Sequence, residues 1–279
     1  MNTIVIENLT KFYGKTKGID NITLDVHEGE IYGFIGTNGA GKSTLIRTLL
    51  NLIYPTSGKA TLNSLDIVND ADKIKSVVAF VPSEITFYKI KVKELFDFCL
   101  KAWQIKDKSK LDNLCKYFEL DVERSIPDLS YGNRKKVSLI LALIKDSKII
   151  ILDEPTNGLD PIMQDKFFKC LIEEKNKGKT IFLSSHNLNE IEKYCDRVCI
   201  IKNGVIVKIF EIKDLLFKQK HQVAYELENG EKVVEVFENI NDIIKKLSKL
   251  TLKNCQIKQL SVEDELKKYY IGDYPYENK

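Results

Sequence analysis

The run Gly36-Thr37-Asn38-Gly39-Ala40-Gly41-Lys42-Ser43-Thr44 has the spacing of a loop built to hold phosphate. Glycines at 36, 39 and 41 let the backbone N–H groups of Asn38, Gly39, Ala40 and their neighbours turn inward around phosphate oxygens. The N-terminus of the helix that follows adds the favourable end of its dipole. Lys42 is placed to reach the β and γ phosphates, and the Ser43 hydroxyl to coordinate Mg²⁺. A second constellation lies further on, where Ile149-Ile150-Ile151-Leu152 ends in Asp153-Glu154. A buried strand with two terminal carboxylates brings Asp153 beside the phosphate loop, where it can hold Mg²⁺ through water. Glu154 then sits where a general base polarises an attacking water. The chemistry these residues fit is Mg²⁺-dependent hydrolysis of a nucleoside triphosphate.

Such groups need a rigid frame. Up to about residue 212, apolar strand-like runs alternate with helical patterns and glycine turns, the pattern of a parallel α/β sheet. Ile31–Ile35, Val77–Val81, Lys148–Leu152 and Thr180–Ser184 read as strands covered on both faces. The amphipathic run Leu45–Ile53 supplies the helix after the phosphate loop. Between two of the strands, roughly Val92 to Ile144, the period is helical throughout; Leu111, Leu114, Cys115 and Phe118 share one face. The fold expected is α/β, with a phosphate-loop NTPase sheet core, an inserted helical subdomain at about 84–145, and a small α+β appendix at 213–279. In the appendix, Gln222–Glu228 and Glu231–Phe237 flank Asn229-Gly230, a hairpin signal. A helix near Ile240–Leu250, a strand near Thr251–Ile257 and a last helix near Val262–Tyr270 follow.

Further motifs, in chain order, resemble the ATP-binding cassette (ABC) ATPases. Leu129-Ser130-Tyr131-Gly132-Asn133 resembles their signature loop, Pro155-Thr156-Asn157-Gly158-Leu159-Asp160 the loop after the catalytic glutamate, and Ser184-Ser185-His186 the switch-histidine loop. Tyr13 falls where the family places an aromatic on adenine. The resemblance covers residues 1 to about 212 and is closest to the single-cassette ATPases of drug and peptide-antibiotic exporters. It implies that two cassettes, most simply a homodimer, sandwich ATP between one phosphate loop and the other's signature. Ser130, Gly132 and Asn133 would then face a γ-phosphate held by the partner chain. His186 would bond the γ-phosphate and the attacking water, and Asp160 would cross the interface to help set Glu154. Two departures stand out. Tyr131 and Asn133 replace a glycine-position residue and a glutamine of the signature. Val81-Pro82-Ser83-Glu84 occupies the place of the glutamine loop, where either Ser83 or Glu84 offers an oxygen toward Mg²⁺.

Composition bounds the alternatives. Of 279 residues, 43% are hydrophobic and 30% charged, which is the balance of a globular protein. The absence of a long apolar run implies a cytosolic chain, and the resemblance implies attachment to the cytoplasmic face of a membrane through a separate multi-span permease. With 43 basic against 40 acidic residues the net charge is +3, against the strong basic excess expected of a dedicated nucleic-acid binder. A soluble cassette ATPase acting on nucleic acid or ribosomes, or a non-catalytic nucleotide sensor, are the rival readings. Six scattered cysteines and three histidines assemble no zinc pattern and read as reduced, buried thiols. Phe87, Tyr88, Phe96, Phe98 and Trp103 crowd one segment. Phe96 and Trp103, at helical spacing, read as core of the insert, and Phe87 and Tyr88 as loop anchors for a partner helix, which by the resemblance would belong to the permease.

Overall fold

The computed structural model describes residues 1–83, 89–217 and 220–271. Two long strands, β1 (Asn2–Tyr13) and β2 (Thr16–His27), open the chain and are followed by β3 (Ile31–Ile35) and α1 (Lys42–Leu49). Next come β4 (Ser57–Leu62), β5 (Leu65–Asp66), α2 (Ala71–Val77) and β6 (Val78–Val81). The helical stretch is α3 (Val92–Ala102), α4 (Ser109–Tyr117), a 3₁₀ turn at Ile126–Asp128 and α5 (Tyr131–Ile144). It lies between β6 and β7 (Ile149–Asp153). The sheet continues through α6 (Pro161–Asn176), β8 (Thr180–Ser185), α7 (Leu188–Tyr194), β9 (Arg197–Lys202) and β10 (Val205–Glu211). The chain ends in α8 (Ile212–Phe217), β11 (His221–Leu227), β12 (Lys232–Phe237), α9 (Ile240–Leu247), β13 (Leu252–Gln259) and α10 (Val262–Ile271).

The central sheet has the order β10-β9-β3-β8-β7-β6, parallel from β9 to β6 with β10 antiparallel at one edge. Its strands are buried on both faces, and their period-2 alternation divides the core in two. Ile31, Ile35, Ile150, Leu152, Ile181 and Leu183 face the helices of the insert and α6. Tyr32, Phe34, Ile149, Ile151 and Phe182 face α1 and a second sheet. That second sheet, antiparallel in the order β2-β1-β4-β5, corrects the expectation of a purely parallel first half. Boundaries shift too. Val77 ends α2 instead of opening β6, β7 starts at Ile149, and α1 runs from Lys42 to Leu49 because Asn51 turns to φ +51°.

In the insert, Leu111, Leu114, Cys115 and Phe118 all pack into the helical core, as do Phe96 and a half-buried Trp103, whereas Phe98 is exposed. Phe87 and Tyr88 lie outside the described residues. Of the cysteines, Cys170, Cys195 and Cys199 are buried, Cys99 and Cys115 half-buried and Cys255 exposed, so burial does not hold for all six. The last sheet, β12-β11-β13, packs Val223 and Tyr225 on Ile243 of α9. From there α10 returns to the main core, burying Val262 and Leu266 and setting the Tyr269 ring edge-on to Phe210 at 5.2 Å.

Candidate functional site

Strand order creates the site. Because β8 lies between β3 and β7, the carboxyl ends of three strands meet, with Ile35 opposite Ser185 and Ser184 opposite Asp153. In open parallel sheets this end is where ligands bind. The phosphate loop leaves β3 and enters α1 through Gly41, at φ +109°. A Cβ there would also come within 2.6 Å of the Gly18 carbonyl, so only glycine fits.

Lys42, buried in the loop, donates to the Gly36 carbonyl at 2.6 Å and reaches the Thr37 carbonyl at 3.3 Å. Its ammonium also lies 3.2 Å from Glu154 Oε1, an ion pair in which both side chains are largely buried. Ser43 Oγ donates to Asp153 Oδ2 at 2.8 Å, and Ser184 Oγ donates to Asp153 Oδ1 at 2.6 Å. Asp153 is thus held from both sides in a site only 3% exposed. The next residue, Glu154, takes φ +48°, and its N–H donates to both the carbonyl and the hydroxyl of Ser184, each at 3.2 Å. That turn swings the carboxylate off the strand line toward Lys42. On its other side His186 Nδ1 lies 2.7 Å from Glu154 Oε2, with the ring half open to solvent.

The histidine loop has its own support. Ser185 Oγ donates to Glu190 Oε2 at 2.9 Å and Asn187 Nδ2 donates to Glu190 Oε1 at 3.2 Å. Burial pushes the Glu190 carboxyl upward, and hydrogen bonds from Thr156, Ser185 and Asn187 oppose the shift. Glu190 was absent from the sequence-derived candidates. The signal that marks it is the Asn187-x-x-Glu190 spacing of a helix start.

A cavity of about 530 Å³ opens above these groups, lined by Tyr13, Asn38, Gly39, Gly41, Lys42, Ser43, Thr44, Ser83 and Glu154. Thr16, Lys17, Gly18, Thr37, Tyr131 and Asn157 complete its wall; Thr37, Tyr131 and Asn157 lie within motifs read from the sequence, and none of the six was a sequence-derived site residue. Tyr13 stands at the end of β1, 46% exposed. Gly36 and Ala40 shape the loop from behind, and Asp153 sits beneath Ser43. Ser130, Gly132, Asn133 and Asp160 do not line this chain's cavity. Ser130 caps α5, its Oγ accepting from the Asn133 N–H at 3.3 Å, and Asp160 caps α6, Oδ1 accepting from the Met163 N–H at 3.0 Å. Glu84, the alternative to Ser83, lies outside the described residues.

Residues 19–157 match the family described as ABC transporter. An uncharacterised ABC transporter ATP-binding protein of Methanocaldococcus jannaschii is 35% identical over 260 residues, spanning 87% of this chain and 93% of the relative. The chain belongs to the ABC transporter ATP-binding proteins. The bacitracin transport ATP-binding protein BcrA of Bacillus licheniformis is 34% identical, over 87% of this chain and 81% of its own. Among solved structures, an ATP binding subunit of an ABC transporter superposes with a TM-score of 0.72 at 26% identity, covering 76% of this chain and 91% of that one. As an ABC cassette the chain binds and hydrolyses ATP. Its phosphate loop, acidic strand end and histidine loop meet at one end of one sheet. Among the described residues no helix is long and apolar enough to cross a membrane.

Proposed function

We propose that this ABC cassette hydrolyses ATP with Glu154 as general base and drives a separate permease, with export as the direction of transport. The observation that carries the reading is the Lys42–Glu154–His186 row, a buried carboxylate held between a buried phosphate anchor and a half-exposed imidazole. ATP phosphates compete with Glu154 for the Lys42 ammonium. On binding they release the carboxylate toward water, with His186 positioned beside it. Tyr13 stacks on the base. The paired Ser43 hydroxyl and Asp153 carboxylate, hard oxygens in contact, suit Mg²⁺, and Ser83 stands as a further oxygen at the cavity wall. When bound, the ion neutralises charge on the β and γ phosphates.

In this reading residues 1–212 form the ATPase domain and 213–279 an accessory domain. Two cassettes pair so that Ser130, Gly132 and Asn133 of each reach the other's γ-phosphate, and Asp160 meets the partner near its Glu154. The exposure of Ser130 and Asp160, at the starts of α5 and α6, supports this. The assembly sits on the cytoplasmic face of the membrane, on a multi-span permease. Size-exclusion chromatography of the Glu154→Gln variant tests the sandwich. Its mass should double with ATP and Mg²⁺ and stay that of one chain without nucleotide. A single-chain mass at saturating ATP contradicts the pairing.

A further inference from the structure

Tyr131 and Lys135 stand four residues apart on α5, so their side chains emerge on the same helical face. Both turn to one short piece of backbone. The Tyr131 hydroxyl donates to the Ser83 carbonyl at 3.2 Å. The Lys135 ammonium donates to the Pro82 carbonyl at 2.9 Å and reaches the Ser83 carbonyl at 3.4 Å. Lys135 is wholly buried, at 0% exposure. An ammonium in such a place is costly unless its donors are paired, and an apolar side chain of similar volume is often at least as stable. Burial pulls Lys135 down to about 8, and the carboxylates of Asp153 and Glu154 oppose the shift.

The Tyr131 ring has a second neighbour. A Cβ on Gly158 would come within 2.3 Å of it, and Gly158 is at φ +79°. Three segments therefore meet at Tyr131: the start of α5, the backbone after β6, and the loop that follows Glu154. Tyr131 and Ser83 both line the cavity that holds Lys42, Ser43 and Glu154. These two positions are also where the chain departs from the family pattern. The tyrosine that replaces a small residue bonds the loop in which serine replaces glutamine, so the two departures form one contact.

We propose that Tyr131 and Lys135 are positioning residues for ATP hydrolysis, gripping the 82–83 backbone so that Ser83 and the start of α5 keep one placement against Glu154. Ground-state phosphate binding rests on the loop between β3 and α1, whereas the hydrogen bonds of both side chains go to the 82–83 backbone. Loosening the grip therefore lowers kcat more than it raises KM. The inference rests on Glu154 being the base, and the test separates the two.

Steady-state ATP turnover is measured for the full chain, Glu154→Gln, Tyr131→Phe, Lys135→Met and the double variant. Tyr131→Phe keeps the ring against Gly158 and removes only the hydroxyl. Its kcat should fall roughly 3–10-fold, the worth of one hydrogen bond, with KM within about twofold of the parent. Lys135→Met should fall further. The double variant should lose less than the product of the two, because both act on the same carbonyl. Parental kcat in Tyr131→Phe, a change mainly in KM, or strictly multiplicative losses overturn the inference. Should Lys135→Met not fold, Tyr131→Phe decides alone. Undiminished turnover in Glu154→Gln instead removes the base on which the inference rests.

Discussion

Ser184→Ala isolates the contact that holds Asp153. Ser184 is fully buried and its hydroxyl donates to Asp153 Oδ1 at 2.6 Å, while Ser43 supplies the bond to Oδ2. Alanine removes the first bond, and the space vacated by one oxygen is too small to readmit a well-bonded water. The carboxylate then keeps one donor in a dry site. The Glu154 N–H is spared, since the Ser184 carbonyl still accepts it at 3.2 Å. A hydrogen bond to a charged group contributes about 1.5–3 kcal/mol, so the variant should be destabilised by that amount. At roughly 2–4 °C per kcal/mol for a chain of this size class, melting should fall by about 3–12 °C. Denaturant unfolding followed by circular dichroism, with the thermal midpoint alongside, measures both quantities. An Asp153 free to turn also holds the Ser43 hydroxyl less well, so ATP turnover should drop most at limiting Mg²⁺. Midpoints equal to the parent's, with unchanged Mg²⁺ dependence, refute the claim that Ser184 sets Asp153.

Two further outcomes are expected. Tyr13→Ala removes an exposed ring at the cavity rim and should weaken ATP binding by about 1–3 kcal/mol, as for other base–aromatic stacks; a fluorescent ATP analogue titration reads it, and an unchanged dissociation constant takes Tyr13 off the base. Burial alone would raise the Glu174 carboxyl, but Lys179, Lys110 and Lys177 around it hold it down at about 2, against an ordinary 4.5. A depressed carboxyl stabilises the fold above its unfolded value and loses that contribution as pH falls through the folded one. Glu174→Gln should therefore cost roughly 3 kcal/mol at pH 7, as expected for a carboxyl held at about 2 against an ordinary 4.5. The gap to the parent should close between pH 4.5 and 2 in urea melts; a constant gap down to pH 3 contradicts this role.

The parts legible in the sequence are those set by local chemistry. The phosphate loop needs glycine at Gly41 and a lysine and hydroxyl just after it, and no tertiary contact alters that spacing. The Ile149–Leu152 run ends in its acids because a doubly buried strand tolerates charge only at its end. The antiparallel sheet was not legible because β1 breaks its own alternation. Register shifts fall between Ile6 and Leu9 and between Leu9 and Lys11, and Asn8 adopts φ +50°. A two-residue period cannot survive such bulges. The loop at Asn229-Gly230 is longer than the dipeptide implies: the strand register runs to Glu226 opposite Lys232, and the Leu227 N–H donates to the Glu231 carbonyl at 2.9 Å to close it. The Asn229 side chain accepts from the Glu231 N–H, and Gly230 supplies φ +85°. At the site, Tyr131 and Lys135 meet residues 82–83 about fifty positions away, a contact that no spacing rule encodes.

Whether Glu154, held between Lys42 and His186, is the base for hydrolysis is tested most directly by single-turnover ATP hydrolysis in Glu154→Gln alongside its ATP dissociation constant. Hydrolysis should slow by roughly 10²–10⁴-fold, with ATP bound at least as tightly as by the parent because Lys42 no longer has a competing carboxylate. A variant that hydrolyses ATP at the parental rate, or that loses ATP binding itself, would contradict that role for Glu154.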